Sequence, residues 1–418
     1  MKLLRISAKS AWNRKVSLLL AMCSIAISIL LLLGVDIIRK ETKNTFINTI
    51  SQTDLIVGAR SGPVNLLLYS IFHIGDATNN VAYETYQKIS ALPKIKWSVP
   101  ISLGDSHRGF RVMGTHSDYF EFYRYANDRV LHFAQGAPFV DVYDAVIGND
   151  VARTLNYPLN HKIILTHGII ATQHAQHDDK PFKIVGILKK TGTPVDRTVF
   201  VSLQGIEAIH VDWQSGTRSS LRISAEQARH MGLKPKSITA FMLGLQNKID
   251  TFRLQRKINE YQEEPLLAIL PGVTLARLWQ SLGQFEQVLM IISVLVLFTG
   301  LIGLLTTLLT TLNERRREMA VLRAVGAHAY HVIVLFMLES VFVVVGSSML
   351  GIALLYSSLY VLQPIIAEIY GIYLNITLLD GQQVLILGAA LLLSVLLSLI
   401  PGWIAYKRSL QDGLMVKM

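Results

Sequence analysis

The densest group of side chains with ligand chemistry lies between residues 167 and 179, where His167, His174, His177, Asp178 and Asp179 fall in one short segment. Neutral imidazole and carboxylate both suit zinc, and a loop can gather such groups around one ion. The spacing matches no rigid zinc motif, and the same residues equally describe a polar hairpin loop joining the apolar runs 163–165 and 182–188. Ten of the twelve histidines lie between residues 39 and 285, so acid–base or metal chemistry belongs to that region. Hydrolase catalysis is disfavoured, because the chain has no Gly-x-Ser-x-Gly elbow and no His-Glu-x-x-His pair. A single cysteine, Cys23, leaves no intrachain disulfide or cysteine zinc site.

A second reactive group stands alone. Glu339 interrupts an otherwise apolar run over 332–362. An acid inside hydrocarbon is costly and marks function by default. Its place near the start of the run, with arginines in the preceding segment, favours a structural or coupling role over a proton or ligand site.

The elements that must position these groups are set by composition. The chain is 51% hydrophobic but still 17% charged over 418 residues, and its mean hydropathy is +0.39. That mixture predicts membrane spans joined to a water-exposed domain with its own core. Four runs are long enough to cross the hydrocarbon layer: 16–35, 288–312, 332–362 and 384–406. The first follows a basic start but is too long for a signal-peptide core and lacks a small-x-small site, so it reads as an uncleaved anchor. Met22 is likewise too large for the processing box that Leu20 to Cys23 faintly suggests.

Lysine and arginine set the orientation. Lys2, Arg5, Lys9, Arg14 and Lys15 precede the first run, Arg315, Arg316, Arg317 and Arg323 separate the second and third, and Lys407, Arg408 and Lys417 follow the fourth. The connection 363–383 has neither residue type. Both termini are therefore expected in the cytoplasm. Arg39, Lys40 and Lys43 fall on the opposite side, but they head a long domain, where the rule is weak. The net charge of +11 is then explained by anionic lipid. No basic stripe with interleaved aromatics points to nucleic acid.

Between the first two spans the pattern predicts an α+β domain. Strand-like runs at 54–58 and 95–102 flank a helical stretch at 81–92, and the order returns at 239–245, 250–261 and 266–270. A β-rich insert lies between them, at 145–148, 162–165, 182–188 and 198–201. Gly300, Gly303 and the segment 346–351 place small residues on the spans, suited either to a dimer seam or to packing within one subunit. Pro401 should bend the fourth span.

The most specific stretch runs from Asn313 to Ala327. Asn313 is a plausible helix N-cap, and Met319, Leu322, Val325 and Ala329 form an apolar stripe with arginines at its sides. A helix lying on the membrane surface would fit, as would one docked into a cytoplasmic partner. Glu314 to Ala327, then Leu335 to Ser340, Gly346 to Gly351 and the ending Pro401 to Leu410 resemble the C-terminal signature of MacB, FtsX and LolC/LolE permeases. The layout of one span, a large outer domain and three further spans is also theirs.

That resemblance implies an ABC transporter permease of the mechanotransmission type. The expected partition is 1–38 for the cytoplasmic start and first span, 39–285 for a periplasmic MacB-like core of two subdomains, and 286–312 for the second span. A cytoplasmic coupling helix over 313–331 follows, then 332–362, a periplasmic connection 363–383, 384–406 and a tail 407–418. The implied ATPase-coupling residues are Glu314, Arg315, Arg316, Arg317, Glu318, Met319, Leu322, Arg323, Val325 and Gly326, with Glu339 coupling inside the membrane. The expected partners are a cytoplasmic ATPase of the MacB, LolD or FtsE kind, a second permease copy forming a homodimer, a periplasmic binding or adaptor protein, and lipid. The site is a bacterial inner membrane. ATP and Mg belong to the partner, because the chain has no Gly-Lys pair and hence no Walker A loop. Zinc is the only ligand its own residues suggest. The substrate stays open among lipoprotein, peptide, drug, haem and metal. An FtsX-like regulator that activates a periplasmic cell-wall hydrolase is the alternative, and a membrane sensor without an ATPase is a third.

Overall fold

Four long apolar stretches fold as helices in the computed structural model of the chain, over Lys15–Ile47, Gly283–Thr310, Tyr330–Tyr370 and Gly381–Asp412. The structure describes residues 15–126, 128–168, 179–214, 217–218, 223–281, 283–310, 312, 328, 330–370 and 378–412. All four helices are long and apolar enough to span a membrane. They form one unit, made of residues 1–41, 283–365 and 374–418, and the second unit is 42–282 with 366–373. The fourth helix continues through Pro401 to Asp412.

Burial separates the helices. Half of the first helix's most apolar window is buried, against 28%, 44% and 22% for the others. Ile25, Ala26, Ile29, Leu32 and Leu33 are essentially inaccessible, whereas Leu19, Leu20 and Ile27 are exposed on the lipid-facing side. By this measure the first helix is the most buried of the four, followed by the third.

The outer unit is built on a mixed sheet. Its main strands are β1 (Leu55–Ala59), β2 (Ile95–His107), β3 (Phe110–Thr115), β4 (Phe133–Gly136), β5 (Asp144–Ile147), β6 (Phe182–Leu188), β7 (Thr198–Ser202), β8 (Ala240–Leu245) and β9 (Leu266–Ile269). The spatial order is β9-β1-β8-β2-β3-β7-β5-β6-β4. β3 pairs β7 and β5 pairs β6 in parallel, while β1, β8 and β2 pair antiparallel. Strands from both ends of the domain sequence therefore lie side by side in one half of the sheet. β1, β7 and β8 are buried on both faces, in keeping with the apolar sequences of β1 and β8 and the Val-Phe-Val centre of β7. Helices Tyr83–Ser90 and Thr251–Asn259 cover the β1–β8–β9 half through Tyr86, Ile89, Leu254 and Ile258. A second cluster around Phe182, Ile184, Val199 and Ile209 fills the other half.

Two buried charged or titratable groups shape this domain. The side chains of Lys180 and Asp212 are fully inaccessible and pair at 2.5 Å. His73 ends the helix Pro63–Ile71 with φ of +55°, a left-handed conformation that glycine adopts more cheaply. It is buried, and desolvation followed by the nearby Arg111 charge lowers its pKa to about 4. The folded ring is therefore neutral at pH 7.

Each group has a measurable consequence. Lys180→Met should destabilise the domain by about 3–5 kcal/mol, because it strands a buried carboxylate, and adding Asp212→Leu should recover most of the loss in thermal unfolding. A double variant as unstable as the single would contradict the pairing. For His73, the unfolded ring takes up a proton near pH 6.5 while the folded ring refuses it until about pH 4. This contribution to stability is fully present above about pH 6.5 and is lost as pH falls through that window. His73→Gln should then lose less thermal stability than the parent between about pH 7 and about pH 4.5; equal losses would refute the assignment.

Candidate coupling site

Lipid tails are as apolar as leucine, so membrane helices associate through close approach and polar contacts. Small residues provide both here. On the first helix, Met22, Ala26 and Ile29 lie on one face at helical spacing, and they meet glycines of the third. A Cβ on Gly351 would lie 2.7 Å from the Ala26 carbonyl oxygen and 3.2 Å from Ile29, and one on Gly346 would lie 2.6 Å from Met22 Cε. Further along, Gly34 approaches Leu355. Against the second helix, Ser28 Oγ bonds the Val296 carbonyl at 3.2 Å and its own Ser24 carbonyl at 2.9 Å. A Cβ on Gly300 would come within 2.8 Å of that hydroxyl. Gly300, Gly346 and Gly351 are thus used inside one subunit. Gly303 has open space around it.

The third and fourth helices are tied near their other ends. Ser340 Oγ donates to the Ser394 carbonyl at 3.0 Å, and Gly402 lies against Ile333. Glu339, next to Ser340, is only 2% exposed. It lies nine residues into the third helix, or ~14 Å at a rise of 1.5 Å per residue.

A polar clasp joins the first and fourth helices. Asp36, buried to 2% exposure, accepts from Arg39 at 3.0 Å, Lys40 at 2.8 Å and Gln383 Nε2 at 3.0 Å. Lys40 also reaches Asp380 at 2.6 Å. Asp380 and Gln383 in turn cap the fourth helix reciprocally: the Gln383 N–H donates to Asp380 Oδ1 at 2.8 Å, and the Asp380 N–H donates to Gln383 Oε1. The Lys40 ammonium and the Gln383 N–H hold the Asp380 carboxyl below the usual carboxylate range. Sequence reasoning missed this clasp. Its local trace was there, since Asp36 precedes Arg39 and Lys40 by three and four residues, the helical ion-pair spacing.

The sequence-derived candidates divide sharply. Glu314, Arg315, Arg316, Arg317, Glu318, Met319, Leu322, Arg323, Val325 and Gly326 lie outside the described residues, as do His174, His177 and Asp178. His167 is described in backbone only, and its segment Thr166–His167 pairs with Asp105 and Ser106 of β2. Asp179 lies 3.5 Å from the Lys180 ammonium. Among the described residues no three metal-ligating side chains come together.

Comparison with known proteins agrees with this architecture. Residues 18–261, more than half of the chain, match the MacB-like periplasmic core domain, and 290–410 match the FtsX-like permease C-terminal domain. This chain belongs to the MacB/FtsX-type permease family. As a MacB/FtsX-type permease it is an ABC transporter membrane component with four membrane helices and a large periplasmic-type domain inserted after the first. Permeases of this family work with a cytoplasmic ABC ATPase. A curated relative is the macrolide export ATP-binding/permease protein MacB of Wolinella succinogenes, 20% identical over 270 residues, or 64% of this chain. The chain spans 38% of that relative's length. Similar solved structures include the periplasmic region of MacB from Actinobacillus actinomycetemcomitans, at 9% identity and a TM-score of 0.35, covering 56% of this chain and 95% of that one. Another is the extracellular domain of the noncanonic ABC-type transporter YknZ from Gram-positive bacteria, at 11% identity and a TM-score of 0.31, covering 52% and 99%.

The glycine contacts make a paired prediction for this permease. Gly351→Leu should overpack the first–third helix contact and lower thermal stability by about 1–3 kcal/mol, whereas Gly303→Leu should change it little. Equal effects at the two positions would contradict the packing.

Proposed function

We propose that this permease carries force from ATP hydrolysis on a separate cytoplasmic subunit to its outer domain. The stretch 313–331 is the docking helix, with Met319, Leu322 and Val325 in the apolar seat and Glu314, Arg315, Arg316, Arg317, Glu318, Arg323 and Gly326 around it. Both termini face the cytoplasm, and residues 39–285 lie in the periplasm. A second copy of the chain completes the permease pair, and a periplasmic binding or adaptor protein receives the motion.

The observation that carries this reading is the way the first helix is held. Glycine contacts fix it to the second and third helices, and the Asp36–Lys40–Asp380–Gln383 clasp fixes it to the fourth. A push entering between the second and third helices therefore moves the first, from which the chain continues into the outer domain. Glu339 lies buried near the start of the third helix, where such a push arrives, and acts there as a coupling residue. The substrate is exported or extracted from the outer face of the membrane. Lipoprotein, peptide, drug, haem and metal all remain within this reading, with zinc held by His167, His174, His177, Asp178 and Asp179 in the metal case.

Leu322→Asp tests the docking seat, because it places a charge where an apolar contact is required. The variant should insert into the membrane normally but lose co-purification with its ATPase. Retention of the ATPase at the parent level would overturn the proposal. In a deletion strain, chaining cells would favour control of a cell-wall hydrolase over export.

A further inference from the structure

The outer domain contains a cavity of about 530 Å³ that no part of the coupling mechanism uses. That volume lies in the range of small-molecule sites. It opens at the start of the parallel β3–β7 pair, where Arg111 and Thr198 are register partners. Phe110, Ile74 and Pro194 supply apolar wall.

Its polar groups are unusually well defined. Thr198 Oγ1 donates to the Pro194 carbonyl at 2.9 Å. Toward His73 the same hydroxyl must accept, so His73 Nδ1, 2.9 Å away, carries the proton. His73 Nε2 is then a bare acceptor. It has no hydrogen-bond partner among the described residues, and the ring lines the cavity. Burial keeps that ring neutral. His73 holds a left-handed backbone conformation, which is costly for a side chain that bears a Cβ.

Two guanidinium groups border the same space. Arg111 donates to the Gly75 carbonyl and pairs at 2.9 Å with Asp76, whose side chain is 74% exposed. Arg197 lies over the Phe110 ring at 5.7 Å and makes no ion pair among the described residues. Asp76 is the ion-pair partner of Arg111, and Arg197, beside the Phe110 ring, has no carboxylate partner among the described residues.

We propose that this cavity binds a small aromatic carboxylate bearing a hydroxyl group. The carboxylate is held by Arg197 with Arg111, the ring packs against Phe110, Ile74 and Pro194, and the hydroxyl donates to His73 Nε2. Arginine suits this task because its planar fork matches a carboxylate and stacks on aromatic faces. The site stands apart from force transmission, so each can fail without the other.

The test uses the full chain in lipid nanodiscs, with 6-hydroxy-2-naphthoate as a fluorescent probe and empty nanodiscs as the partition control. Saturable binding is expected to the parent. At least about tenfold weaker binding is expected for Arg197→Ala and for the uncharged probe 6-hydroxy-2-naphthamide, since one charged hydrogen-bonded contact is worth about that factor. 2-Naphthoate, which lacks the hydroxyl, should also bind more weakly. Arg197 is exposed and holds no structural ion pair, so its removal should leave the fold intact, and an unchanged thermal transition checks this. Probe uptake no greater than in empty nanodiscs, or equal binding by the amide, or equal binding by Arg197→Ala, would overturn the proposal.

Discussion

Everything in the membrane unit depends on how closely the first helix can approach its neighbours. In lipid there is no hydrophobic gain from pressing one leucine surface on another, so contact depends on side chains small enough to let backbones meet. Gly300, Gly346 and Gly351 are spent on this single purpose, and each faces the first helix. The consequence is a first helix with one face packed against its neighbours and the other face apolar and exposed. A helix so held follows its neighbours.

The polar clasp completes that hold at one end. A buried aspartate needs partners to offset its desolvation, and Asp36 receives them from its own helix and from Gln383. The capping box formed by Asp380 and Gln383 means that the same two residues start the fourth helix and tie it to the first. Helix initiation and helix association are therefore one interaction. Outside the membrane unit, a different logic holds. The outer domain gains its stability from a wide sheet buried on both faces at β1, β7 and β8, and it tolerates within it a fully buried ion pair and a strained histidine.

Much of this was readable in advance, for identifiable reasons. The four spans follow from length and hydropathy alone, and β1, β6, β7 and β8 from short, mainly apolar runs, with β-branched side chains in the first three. The return of a strand–helix–strand order late in the domain sequence corresponds to β8 and β9 lying on either side of β1. β2 is longer than expected, running to His107 rather than Ser102, because Gly104 and the polar residues after it hide the continuation. What the sequence concealed are the contacts of high separation. Lys40 reads as a stray topology charge because its second partner, Asp380, lies 340 residues away. His73, Arg111 and Arg197 carry no common motif: the β3–β7 pairing brings Arg111 beside Thr198, and His73 joins them from the end of the helix Pro63–Ile71. Gly300, Gly346 and Gly351 stand out in the sequence as small residues on spans, but a glycine that faces its own chain has the same local pattern as one that faces a copy.

A disulfide between cysteines placed at positions 34 and 355, in a chain with Cys23→Ala, would lock the first helix to the third where Gly34 already meets Leu355. With the ATPase bound, nucleotide-driven change in the outer domain can be followed by its hydrogen exchange in the locked and reduced forms. If the spans move as one body, the locked protein should respond to nucleotide as fully as the reduced one. A lock that abolished the response would show that the first and third helices must slide past each other, and the picture of a clamped first helix would fall.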